Sequence, residues 1–273
     1  MSHSSDSPTS ASLLQSILSR VTGRSDPDLP ALYPVEGGSI NSAYRILTKD
    51  NAQWFCKIND SRAFPDLLEK ESRGLHLLRS QDIFRIPAVV ACETAGGRQV
   101  LLLEWIAQGP RTAGFWSLFG EQLARLHRVT PSRSAGPEAP SHQSGSAASS
   151  LPADLEAPSP EQGPLLSDPA GSTAPAPQPG FFGLPWDNYM GALPQSNTPS
   201  PRWTDFFMEQ RLVPQVRLAA QKGLLSPAVL RSFERLYPLL PGIFPEEAPS
   251  LLHGDLCLPG RFFGKYKPSP ANG

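Results

Sequence analysis

Pro249-Ser250-Leu251-Leu252-His253-Gly254-Asp255-Leu256 reads as a short apolar strand that delivers a His-Gly-Asp turn. An aspartate held on such a turn can accept the proton of a substrate hydroxyl while a phosphoryl group is transferred. Asp255 is therefore the candidate catalytic base. The upstream chain reads as equipment for placing a nucleotide and an acceptor beside that carboxylate. Downstream, from Cys257, the sequence changes character into a short basic tail with Arg261, Lys265 and Lys267.

Going back toward the N-terminus, three pieces fit a nucleotide site. Gly37-Gly38-Ser39 precedes alternating apolar residues, so a turn is expected whose backbone N–H groups approach phosphate oxygens closely. It has neither the GxGxxG nor the GxxxxGK[ST] pattern, which excludes a Rossmann or Walker reading. Gln53 to Ile58 is expected as a strand with Phe55, Lys57 and Asn59 on one face and Trp54, Cys56 and Ile58 on the other. A strand lysine beside a glycine turn suits the α- and β-phosphates. A helix over about Phe64 to Ser80 buries Leu67, Leu68, Leu75 and Leu78. It carries Glu71, with Glu69 as the alternative, as a possible ion-pair partner for Lys57.

Two further strands, Ile86 to Cys92 and Gln99 to Trp105, are joined by a Gly96-Gly97 turn. The second runs into Glu104-Trp105-Ile106, a connector whose backbone groups would face adenine. Leu13, Leu14, Ile17, Leu18 and Val21 recur at helical spacing near the N-terminus. Phe115, Phe119, Leu123 and Leu126 mark a helix that ends near His127.

The stretch from Pro131 to Gly180 is dominated by Pro, Ala, Ser and Gly and has no aromatic residue, so it cannot bury enough apolar surface to offset its ordering entropy. It reads as an insertion within one fold. Order resumes at Phe181, where Trp186, Asp187 and Asn188 offer stacking and hydroxyl-binding groups for a sugar-like ligand. Trp203 to Lys222 is helical, with Phe206, Phe207, Leu212, Val213 and Val216 inward and a kink at Pro214. Ser226-Pro227 caps a core helix carrying Val229, Leu230, Phe233 and Leu236.

The 273 residues hold 24 Lys and Arg against 25 Asp and Glu, a net charge of −1, so no global field recruits nucleic acid or an anionic membrane. Three cysteines without CxxC spacing suit a reduced, cytoplasmic setting. No apolar run reaches the roughly 18–20 residues of a membrane span.

Taken in order, GGSINSAYRI, WFCKIN, LEKESRGLHLL, VLLLEWI, GEQLARLHR, FGLPWDNYMGALPQSN, WTDFFMEQRLVPQVRLA and LLHGDL closely resemble the fructosamine/ketosamine 3-kinase family, in the aminoglycoside-phosphotransferase-like branch of the protein-kinase-like fold. The resemblance implies an α+β, two-lobed fold: an N-terminal ATP-binding lobe (1–106) of antiparallel sheet plus helix, the start of a helical C-lobe (107–130), the insertion (131–180), a partial substrate and catalytic lobe (181–256) and a divergent tail (257–273). It implies phosphorylation of the 3-hydroxyl of ketosamines, on fructosyl-amine small molecules or glycated proteins, with ATP and Mg2+. By the same resemblance Lys57 is the phosphate lysine and Glu71 its partner. Gly37, Gly38 and Ser39 cover the phosphates, Glu104, Trp105 and Ile106 face adenine, and Trp186, Asp187, Asn188 and His253 lie on the acceptor side.

The sequence departs from the family at one point. Cys257-Leu258-Pro259-Gly260 puts Gly260 where the pattern has a metal-holding Asn, and a later Asp-Pro-Ala segment does not follow. The expectation is a truncated or frameshifted C-lobe lacking its metal ligands and catalytically inactive, with a nucleotide-binding remnant as the alternative.

Overall fold

A computed structural model describes residues 10–23, 31–35, 40–107, 109, 112–129 and 179–254. The Gly37-Gly38-Ser39 turn, almost all of the 131–180 insertion, Asp255 and the tail from 257 lie outside the described residues.

One antiparallel sheet organises the first half, in the order β1 (Ala31–Pro34), β2 (Ser42–Leu47), β3 (Gln53–Asp60), β5 (Arg98–Glu104), β4 (Val89–Ala95). Helix α1 (Ser10–Thr22) lies on one face, where Leu13, Leu14, Ile17 and Leu18 pack against Ile46, Cys56, Val100 and Leu102. Helix α2 (Leu67–Arg79) covers the other, with Leu67 and Leu68 against Leu101 and Leu103. Successive β5 residues thus enter opposite clusters. That double burial is why Val100 to Leu103 is a continuous apolar run and not an alternating one. Each fully buried leucine contributes about 1.5–3 kcal/mol.

In β3 the alternation sends Cys56 toward α1 and Phe55 toward α2. Lys57 lies in phase with Phe55 and so projects on the α2 side. The β4–β5 turn is Gly96-Gly97, both with positive φ (58° and 79°), the geometry a two-residue hairpin requires. Ala95 pairs with Arg98 across it; β4 starts at Val89 instead of Ile86, and the preceding residues form a connector from α2. The edge strand β1, exposed along its whole length and closed by Pro34, has no alternation to reveal it in the sequence.

Beyond the sheet, α3 (Phe115–Leu126) is held to that connector by a hydrogen bond from Gln122 Nε2 to the Ile83 carbonyl (2.9 Å) and by Phe84 against Phe119. The aromatic stretch after residue 180 contains a hairpin, β6 (Asn188–Met190) and β7 (Leu193–Gln195), turning at Gly191. The helix expected to kink at Pro214 is α4 (Trp203–Phe207), a π-helical turn (Met208–Leu212) and α5 (Val213–Gln221). Pro214 has no N–H and its ring crowds the carbonyl four residues back. The ladder shifts register just before it, and the Val213 N–H reaches back five residues to Met208 O.

Two expectations fail in this half. Helix α6 (Pro227–Leu236) has its Ser226 cap, accepting from the Val229 N–H at 3.4 Å, but no residue of it is buried and Val229 is 40% exposed. Its apolar stripe, Leu230, Phe233 and Leu236, is only half-buried, and Phe233 meets Tyr237 in the segment that follows. Helix α7 (Leu240–Ile243) continues from it and buries Leu240. Pro249 to Leu252 has no regular structure and pairs with no strand among the described residues. The Leu251 N–H donates to the Val129 carbonyl (3.3 Å), and Leu252 is 55% exposed.

Candidate active site

Lys57 and Glu71 meet. The sheet aims the lysine at α2, and α2 presents Glu71 one turn after Leu67 and Leu68 anchor it. Lys57 Nζ lies 2.5 Å from Glu71 Oε1, both side chains a little over a quarter exposed. Glu69 instead pairs with Arg73 on the outer face at 2.5 Å. The Lys57 ammonium is thus fixed in direction while one side stays open to solvent.

The N-terminus of α2 has an unusual arrangement. Asp66 occupies the cap position, but its carboxylate makes no capping bond to the backbone of its own helix. The Leu68 N–H is taken instead by Gln99 Oε1 from β5 (3.0 Å), and Gln99 Nε2 donates to the Pro65 carbonyl. Gln99 is almost fully buried, so the sheet itself caps the helix. Asp66 faces the β6–β7 hairpin. Tyr189 Oη donates to Asp66 Oδ1 (3.0 Å), and Lys70 Nζ pairs with Oδ2 (3.0 Å). Burial pushes the Asp66 carboxyl up, but the bonds from Lys70 and Tyr189 and the Lys70 charge outweigh it and hold the group below its ordinary value. Burial and the neighbouring Asp66 raise Tyr189.

Glu104 ends β5. Its N–H donates to the Ala88 carbonyl (2.9 Å), and its carboxylate takes the Arg85 guanidinium (3.0 Å) and the Ala88 N–H (3.1 Å). Its side chain braces the α2–β4 connector. Trp105 carries the Arg45 guanidinium 5.0 Å from its ring centroid, and Ile106 follows without regular structure.

Trp186, Asp187 and Asn188 converge on a residue the sequence reading passed over. The Asn197 N–H donates to Asp187 Oδ1 (2.8 Å), and Asn197 Nδ2 donates to the Trp186 carbonyl (2.8 Å) and to Asn188 Oδ1 (3.1 Å). Arg211, placed by the π-helical turn, donates to Asn197 Oδ1 (2.5 Å) and to the Ser196 carbonyl (2.6 Å) and lies over the Phe206 ring. Burial pulls Arg211 below its ordinary pKa against the opposing Asp187 charge; it remains protonated at neutral pH. The loop expected to bind hydroxyls therefore commits one polar atom each of Asp187 and Asn188 to its own scaffold. The signal in the sequence is Arg211 itself, a cation three residues before Pro214 in a stretch that reads as helical.

His253 is exposed just after Leu252, followed by Gly254 at φ 83°. Asp255, next in sequence, falls outside the described residues, as do Gly37, Gly38 and Ser39. Among the described residues no group of three or more His, Cys, Asp or Glu side chains is placed to hold a metal ion. No described helix is long and apolar enough to cross a membrane.

A model of the fructosamine kinase family matches residues 13–141 and 174–262, the break falling inside the Pro-rich stretch. A probable ketoamine kinase of Synechocystis sp. (strain PCC 6803) is 27% identical over 222 residues, which cover 81% of this chain and 58% of the relative. YniA of Escherichia coli K12, also a probable ketoamine kinase, is 26% identical over 240 residues, 88% of this chain and 65% of its own. Among solved structures, a protein assigned as a fructosamine-3-kinase from Thermobifida fusca matches with a TM-score of 0.58 at 25% identity, over 89% of this chain and 66% of that one. One similarly assigned from Haemophilus somnus matches with a TM-score of 0.60 at 19% identity, over 86% and 63%. The chain thus spans about three-fifths of the length of these relatives, with shares from 58% to 66%. Their kinase-like fold is the α+β arrangement described above, a five-stranded antiparallel sheet with helices followed by a mainly helical part. The family match takes in well over half of the residues, and the chain belongs to the fructosamine kinase family.

Proposed function

We propose that this chain carries the nucleotide-binding part of an ATP-dependent kinase for ketosamines, acting on fructosyl-amines free or attached to glycated proteins. The observation that carries the reading is the Lys57–Glu71 pair, a strand lysine held at 2.5 Å by a helix glutamate. A cation fixed in advance stabilises phosphate charge without being reordered when the nucleotide arrives. In this reading Lys57 meets the α- and β-phosphates, the Gly37-Gly38-Ser39 turn covers them, and the connector Glu104 to Ile106 offers backbone groups to adenine. Asp255 accepts the acceptor hydroxyl proton, and Trp186, Asp187, Asn188 and His253 border the acceptor. The two described cysteines, Cys56 and Cys92, are free thiols, which supports a cytoplasmic setting.

Mg2+ belongs to this chemistry, where it neutralises charge on the transferring phosphoryl group. The described residues do not supply a ligand cluster for it. The Asn position of the family pattern is Gly260. That substitution favours a second reading, in which the 273-residue chain binds ATP without transferring phosphate.

The test is an ATP titration of the chain followed by tryptophan fluorescence, with a parallel assay of phosphoryl transfer to a fructosyl-amine. Saturable binding weakened about tenfold or more by Lys57→Ala is expected, the loss of one charged hydrogen bond. Binding without transfer selects the second reading. No saturation by the wild-type chain rejects both.

A further inference from the structure

We propose that Tyr189, Asp66 and Lys70 form a latch through which the acceptor-side hairpin positions Glu71, and through it Lys57. Tyr189 is thereby a positioning residue for the phosphate lysine, an assignment that rests on the reading of Lys57 given above.

Three observations lead to it. First, Gln99 and not Asp66 takes a first-turn N–H of α2: a cap aspartate ordinarily accepts from the first-turn backbone of its helix, whereas this carboxylate accepts from Tyr189 of a hairpin 123 residues away. Second, the contact is built from several sides. Tyr189 donates to one Asp66 oxygen while Lys70 holds the other; the Lys70 ammonium lies 5.0 Å from the Tyr189 ring centroid; and Phe64 meets the same ring edge-on at 6.4 Å. Third, the hairpin reaches elements on both sides. At its base Asn188 is tied through Asn197 to Arg211 in the π-helical turn. At its tip Gly191 neighbours Ile40: a Cβ added there would make ordinary van der Waals contact, 3.6 Å, with Ile40 Cδ1. Ile40 directly follows the Gly37-Gly38-Ser39 turn.

Asp66 and Lys70 bracket the first turn of α2, and Glu71 is the next residue. A shift of the hairpin is therefore transmitted to the carboxylate that orients Lys57 through one rigid helical turn. Acceptor bound against Asp187 and Asn188 would bias the same element, so nucleotide and acceptor affinities are coupled, and reciprocally so.

The test uses the full chain with Tyr189→Phe and Asp66→Asn, two variants so that loss of folding in one does not end the experiment. Competitive acylation of lysines is read by peptide mass spectrometry, with the exposed Lys222 as internal reference. Both variants are expected to raise Lys57 labelling about threefold or more, in line with couplings carried by packed contacts, with no further gain when they are combined. ATP affinity is expected to fall by a similar factor. A variant that only loosened the hairpin would leave Lys57 labelling where it was, and unchanged labelling in both variants overturns the latch. If the wild-type chain fails to bind ATP, the nucleotide reading falls, while the labelling still decides whether the hairpin positions the Lys57–Glu71 pair.

Discussion

Gly183 lies so near Asn197 that a Cβ built on it would fall 2.6 Å from the Asn197 carbonyl oxygen and 3.0 Å from Phe206 Cε2. Its φ of +113° is also one that side chains rarely adopt. Gly183→Ala must therefore displace backbone, not a side-chain tip. It is expected to cost at least about 2 kcal/mol, in the range of strained backbone sites. Urea unfolding with an unchanged m-value checks it; a shift under about 0.5 kcal/mol rejects the tight-contact reading.

Arg211 is expected to behave as a keystone of the 181–197 segment. Arg211→Met keeps the packing on Phe206 but strands the Asn197 side-chain oxygen and the Ser196 carbonyl. The expected loss is about 2–3 kcal/mol for hydrogen bonds to a charged group. Arg211→Lys should recover little, since an ammonium cannot serve both acceptors as the guanidinium fork does. Chemical denaturation of the three proteins separates the cases, and equal stability of wild type and Arg211→Met would refute the assignment.

The Asp66–Tyr189 contact has a pH window. Asp66 is depressed, so its contribution is complete above the unfolded carboxyl value of about 3.9 and disappears as pH falls through the lower folded value. Tyr189 is raised, so its contribution is complete below about 10 and is lost as pH rises through the higher folded value. The difference in Tm between wild type and Tyr189→Phe should be level from roughly pH 5 to 9 and narrow beyond both ends. A difference that varies steeply near pH 7 would point to another group.

Cys56 and Cys92 should be inert in the folded protein. Burial pushes both thiols up to about 12, helped at Cys92 by the charges of Glu69, Glu71 and Glu93. At pH 8 roughly one thiol in ten thousand is then thiolate. Iodoacetamide is expected to modify these two cysteines only after denaturant is added. Rapid native alkylation of Cys56 would mean that α1 leaves the sheet readily.

Much of the first half was legible because its signals are local and periodic. Leu13 to Leu18 and Leu67 to Leu68 mark the inward stripes of α1 and α2, and Gly96-Gly97 dictates its turn. The Lys57 phase follows from strand alternation alone. Choosing Glu71 over Glu69 needed the helix rotation, which Leu67 and Leu68 set by burying together. What stayed hidden depends on distant partners. Nothing in Asp66 announces that Gln99 relieves it of capping, and nothing in Glu104 announces Arg85. Tyr189 looked like one aromatic among several until the hairpin placed it against α2. Helix α6 misled for the converse reason: a strong apolar stripe states what a helix can bury, not what lies against it.

The π-helical turn at Met208–Leu212 has a consequence for the path of the chain beyond it. A π turn holds one residue more than an α-helix needs, and each α-helical residue advances the azimuth by about 100°. Val213 and everything carried by α5 are thus dialled round by about that angle relative to a straight continuation of α4. Deleting a single residue between 208 and 212 would restore a regular helix, swing α5 to a different compass bearing and carry the attached α6 with it. The number of residues in this segment acts as a setting for orientation, and a one-residue deletion there should be far more damaging than any single side-chain truncation in the same turn.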